Sequence, residues 1–157
     1  MNRLIPGRTR RRQRGTAAIE LAVILPVLLA FLAFSIFYGR VFWHYTAAHK
    51  AAHDAARYLA SVPLTEFKSP TRTGFVVAVA QSIAQAEIAD LNPGPYPPDI
   101  TVACDGLHCT GFATPTVITV GVQLAMFDSI FRQVTGDVLG SEPLPVTASV
   151  TMRYVGK

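Results

Sequence analysis

Three sets of residues in this chain have types and spacings suited to chemistry. Cys104 and Cys109 enclose Asp-Gly-Leu-His. The Asp105-Gly106 step supplies a turn that brings the sulfurs together, and outside the cytoplasm a short-loop disulfide is the expected state. The rival reading makes both cysteines and His108 metal ligands, but it has too few ligands at suitable spacing. His49 and His53 stand four residues apart, a metal-ligand spacing on one helix face. No third ligand and no Glu-x-x-His accompanies them, so they read as solvated or lightly packed histidines. The third set is a single group, Glu20, near the start of a long apolar run. A carboxylate in such a run costs roughly 2.5–3.5 kcal/mol at the centre of a bilayer, less near its edge, and needs compensation. No nucleophile elbow, phosphate loop or His-Glu-x-x-His is present, and Asp99 and Asp105 are separated by an apolar strand. The chain is therefore expected to be no enzyme, with no cofactor and no metal.

The element that positions Glu20 is the apolar run itself. From Leu21 to Gly39 no charged side chain occurs. At ~1.5 Å per residue that run approaches the ~30 Å of a bilayer's hydrocarbon layer. The chain has 14 basic and 10 acidic residues, and six of the basic ones are arginines within residues 1–15, where no acid occurs. The remaining residues hold eight basic against ten acidic groups, a net charge of −2. The basic character thus belongs to the arm before the run. It fits the positive-inside rule better than nucleic-acid binding, and no nucleic acid is expected as a partner. The run is long for a secretory signal, and no Ala-x-Ala site ends it. Tyr38, Trp43 and Tyr45 then suit a membrane–water interface. The expected organisation is a basic, disordered leader 1–15, a membrane-spanning helix 16–39, and an extracytoplasmic domain 40–157.

Residues 40–60 lack Pro and Gly and are rich in Ala. Val41, Tyr45, Ala48, Ala52, Ala55, Ala56 and Leu59 recur at helical steps, so the span is expected to continue as one rod from Thr16 to about Ala60. Pro26 inside it should kink it or loosen one turn. Residues 61–73 read as a loop. Ser69-Pro70 can then open a second helix with serine as cap, carrying Val76, Val79, Ala80, Ile83, Ala84 and Ile88 to about Leu91. After the proline-rich 92–98 the apolar period becomes two, at 100–104, 118–124 and 146–154. Met126–Val134 can form a short amphipathic helix with Phe127, Ile130, Phe131 and Val134 on one face, expected to pack on the core, the alternative being contact with a partner or the membrane. The fold class is α+β: a long N-terminal helix, transmembrane then periplasmic, a second helix, and a small antiparallel sheet of about three strands.

The stretch Gly15-Thr16-Ala17-Ala18-Ile19-Glu20, after arginines and before an apolar helix, resembles the cleavage region of type IV pilin-like proteins. The longer pattern through Leu-Ala-Val-Ile-Leu-Pro, the aromatic-Gly-Arg at Tyr38–Arg40, Ala-Ala-Arg-Tyr at 55–58 and the C-terminal 146–154 looks like the TadE-like group of the tight-adherence pilus system. That resemblance implies a prepilin peptidase cutting after Gly15, a new amine at Thr16, and a role for Glu20 in assembly. It implies as partners membrane lipid, the peptidase, other pilin or pseudopilin subunits and an assembly platform. It implies a single pass through the inner membrane with the N-terminus cytoplasmic. Thr16 and Leu21 depart from the major pilins, which favours a minor pilin-like (pseudopilin) component. The plainer readings are helix initiation at Gly15 and a glutamate snorkelling at the interface. The alternative function is an uncleaved, membrane-anchored binding module for an envelope partner.

Overall fold

The structure is a computed structural model and describes residues 13–128, 140 and 143–156. Its first element is α1, Gln13–Ser61, a helix of 49 residues. It begins three residues before the expected start at Thr16, because Gly15 is tolerated in a first turn where packing asks nothing of it. It also runs unbroken through Pro26. The proline removes one backbone donor, and the turns on either side carry the helix past it. The helix ends at Ser61 because Pro63 disfavours the helical conformation for the residue before it.

The expected loop after α1 contains a short 3-10 turn, Leu64–Lys68, which buries Phe67. The second helix, α2, spans Pro70–Ile88, three residues short of the expected end. Pro70 occupies the first turn as expected, but Ser69 is extended and makes no side-chain cap. The buried face of α2 is Thr73, Val76, Ala80, Ala84 and Ile88, with Val79 and Ile83 at its margins. Thr73 earns its buried place by donating its hydroxyl to the Glu66 carbonyl at 3.0 Å.

Four strands follow: β1 Asp99–Cys104, β2 Leu107–His108, β3 Val117–Met126 and β4 Leu144–Arg153. They form one antiparallel sheet in the order β2-β1-β3-β4. The sheet has one strand more than the sequence suggests, because two residues are too few to display a period. In β3, Ile118, Val120, Val122, Leu124 and Met126 are buried, and in β4, Val146 and Ala148. The opposite face is hydroxyl-rich, with Thr119 and Thr151 hydrogen-bonded across the strands at 3.0 Å. The proposed helix at 126–134 lies largely outside the described residues; Met126 itself closes β3. The expectation of a disordered leader falls on residues 1–12, also outside them, while 13–15 are helical.

α1 and α2 cover the apolar face of the sheet. Ala48, Ala51, Ala52, Ala55, Ala56 and Leu59 of α1 are all fully buried in this layer. Small side chains let the helix lie close against its neighbours, so dispersion contacts are dense although each residue is small. Tyr45, expected on that face, points outward, and His44 takes the buried position one residue earlier. Lys50 of α1 forms an ion pair with Glu87 of α2 and lies 3.7 Å from Asp54, and Gln81 donates to the Ile100 carbonyl at 3.0 Å. These polar contacts fix α2 between α1 and β1.

Candidate functional site

The candidate site is the lower part of α1. From Gly15 to Leu29 every residue is exposed, although most are apolar. The helix is the one element among the described residues long and apolar enough to cross a membrane, with mean hydropathy 2.6 in its most apolar window. A helix that is apolar all round and uncovered by its own chain is suited to lipid or to other apolar helices. Glu20 lies in this stretch with its carboxylate exposed. Among the described residues it has no ion-pair or hydrogen-bond partner. Thr16 and Glu20 are four residues apart in α1, so both stand on one face a single turn apart. Gly15 sits in the first turn, and nothing lies within 4 Å of where a side chain would begin. The helix thus brings Gly15, Thr16 and Glu20 together at one end of the span.

Further along, polar side chains within α1 turn inward to its own backbone. Ser35 donates to the Phe31 carbonyl at 2.9 Å and Thr46 to the Trp43 carbonyl at 2.8 Å. His44 Nδ1 donates to the Arg40 carbonyl at 2.7 Å, while its Nε2 is buried and unpartnered among the described residues. His49 and His53 are exposed on the solvent side, and His53 lies 3.3 Å from Asp54. No group of three metal-ligating side chains occurs among the described residues.

The disulfide lies at the opposite end of the molecule. Cys104 and Cys109 are bonded with Cα atoms 5.0 Å apart. Between them Asp105 (φ 51°) and Gly106 (φ 82°) make the tight turn from β1 to β2. The Asp105 carboxylate accepts the backbone N–H groups of Thr116 and Val117 at 2.8–3.1 Å, tying the hairpin to the start of β3. A shallow groove of about 170 Å³ runs beside it, lined by Phe67, Leu107, His108, Ala113 and Pro115 among others. Sequence reasoning missed the pairing of this loop with α2: Gly111 lies directly against Ser69 and Thr73. A lone glycine in a polar loop gives no sign of such a contact.

No curated protein and no solved structure matches the chain. The sequence model of the TadE-like protein family matches residues 15–57, so the segment from the glycine at the foot of the span through the alanine-rich half of α1 is TadE-like.

Proposed function

We propose that this chain is a pseudopilin-like component of a tight-adherence pilus or a related secretion machine. The observation that carries this is the first two turns of a TadE-like helix, where Gly15 marks the boundary between arginines and apolar surface and Glu20 lies exposed just beyond. A prepilin peptidase cuts after Gly15 and leaves an ammonium group on Thr16. That ammonium and the Glu20 carboxylate, of the same chain or of a neighbouring subunit, neutralise each other in apolar surroundings. Each charge offsets the cost of burying the other. The arginines hold the N-terminus in the cytoplasm, and residues 40–157 lie outside, where a disulfide persists. The role is structural: an assembly part that delivers its helix from the membrane to a filament or platform.

A second reading, an uncleaved membrane-anchored binding module, draws support from α1 itself. The helix starts at Gln13, so the Gly15–Thr16 bond lies within helical backbone, and a peptidase needs that turn unwound. First turns fray at little cost, which keeps the first reading ahead. Mass measurement and N-terminal sequencing of the protein, produced with and without a prepilin peptidase, separate the two. A chain starting at Thr16 only when the peptidase is present supports the pseudopilin; a chain starting at Met1 in both cases supports the anchored module. Glu20→Ala is expected to insert and be cleaved normally but to lose pilus assembly. Normal piliation by that variant would remove Glu20 from the mechanism.

A further inference from the structure

The folded part and the apolar span overlap. α1 and β4 finish together: Val155 donates its N–H to the Ala60 carbonyl at 3.1 Å, and the Tyr154 hydroxyl donates to the Val62 carbonyl at 2.7 Å. From there β4 leads back through 10 residues to Leu144. At ~3.3 Å per residue this is ~30 Å, a distance α1 covers in ~20 residues. The lower ends of β3 and β4 therefore stand level with Arg40, immediately after the charge-free run ends at Gly39. One face of α1 is covered lower still, since Ala33 is only 2% exposed, Phe37 4% and His44 7%. No bare stalk separates the span from the head.

The opposite arc of α1 at this level is aromatic. Tyr38, Phe42, Trp43 and Tyr45 are all exposed, Phe42 and Trp43 at 68% each. With ~100° of rotation per residue these four cover an arc of about 160° facing away from the Ala33–Phe37–His44 stripe. The foot of the sheet adds to it. Tyr96 stacks on Phe127 with ring centroids 5.6 Å apart, and the Phe127 N–H bonds the Pro93 carbonyl at 2.8 Å, which fixes the proline-rich loop beneath β3. Tyr96 and Leu144 remain exposed there.

We propose that the head is seated directly in the headgroup layer of a phospholipid bilayer, with Tyr38, Phe42, Trp43 and Tyr45 of α1 and Tyr96 and Leu144 at the foot of the sheet as its contact surface. This rests on the membrane-spanning reading of α1. Rings with an apolar body and a hydroxyl or indole N–H at one end suit a zone that is greasy below and wet above. The surface continues the apolar span without a break. It wraps so much of the helix that a fluid layer covers it more completely than one protein groove would.

Trp43 is the chain's single tryptophan, so its fluorescence reports this site alone. The full chain is reconstituted into phosphatidylcholine–phosphatidylglycerol vesicles containing lipids brominated either near the headgroup or near the end of the acyl chain. Expected are a blue-shifted emission and stronger quenching by the shallow bromines than by the deep ones. In a Trp43→Phe, Tyr96→Trp variant the new indole is also quenched by the shallow bromines. If the chain floats with the vesicles but neither indole is quenched, the head stands clear of the surface and the proposal is overturned. Deeper quenching than shallow overturns it as well, by placing residue 43 inside the hydrocarbon. A chain that fails to float with the vesicles overturns the spanning reading itself, and the seat with it.

Discussion

At Gly111 the chain has room for a hydrogen and for nothing larger. Its φ is +77°, and an added Cβ would come within 2.6 Å of Thr73 Oγ1 and 2.7 Å of the Ser69 carbonyl carbon. Gly111→Ala is thus strained in its own backbone and collides with the start of α2. It should destabilise the head by about 1–3 kcal/mol, read as a lower unfolding midpoint of the detergent-solubilised chain. Tyr154 makes a different demand. Burial pushes its phenol above the usual tyrosine range, because an anion there would lose water. Ionisation would also remove the proton that bonds the Val62 carbonyl. A folded-state value raised above the unfolded one means this stabilisation is complete below the unfolded tyrosine pKa of about 10 and is lost as pH rises through the folded value. Lys50, raised by its contacts with Glu87 and Asp54, titrates in the same direction. Tyr154→Phe keeps Lys50 and removes only the phenol. The native chain should therefore lose stability above about pH 10 more steeply than the variant, in unfolding midpoints measured across the alkaline range. Neither constraint is legible in the sequence, since both depend on residues distant along the chain. The Asp105–Gly106 turn is legible, because the tendency of Asp-Gly to adopt positive φ is local.

At the scale of elements, α1 has two surfaces of different character on one helix. Above Ala47 its inward face is alanine packed at full burial; below Ala30 it is large apolar side chains exposed on every side. Ala55 shows the upper character best. It is fully buried where α1 meets the other layer, and Ala55→Leu adds three carbons where there is no space. The expected cost is about 1–3 kcal/mol, seen as a lower unfolding midpoint, while insertion of the span should be unchanged because the lower helix is untouched. Both helices and the three long strands were legible because their apolar periods persist over several turns or several residue pairs. The 3-10 turn Leu64–Lys68 and the two-residue β2 were not, since neither is long enough to show a period. The outward position of Tyr45 was missed because Tyr45 and His44 fit adjacent helical stripes equally well by spacing. Only the actual cover decides which one is buried.

For the molecule as a whole, the two-layer arrangement followed from the sequence: strands with one apolar face need a cover, and two helices were available to provide it. The TadE-like resemblance also holds over residues 15–57. The strand order β2-β1-β3-β4 had no local signature, because it depends on which strands meet after long connections. Among the described residues that order leaves β4 at the rim of the sheet, and the contact of Val155 with Ala60 makes β4 climb toward the same end as α1. A rim strand is ordinarily an invitation to its twin in another molecule, the two edges running antiparallel about a twofold axis. For two copies threaded the same way through one bilayer, such a union would turn one of the rods upside down. If α1 spans the bilayer in one direction in every copy, that shared polarity guards an otherwise sticky border, and a soluble fragment lacking the apolar run would forfeit the protection.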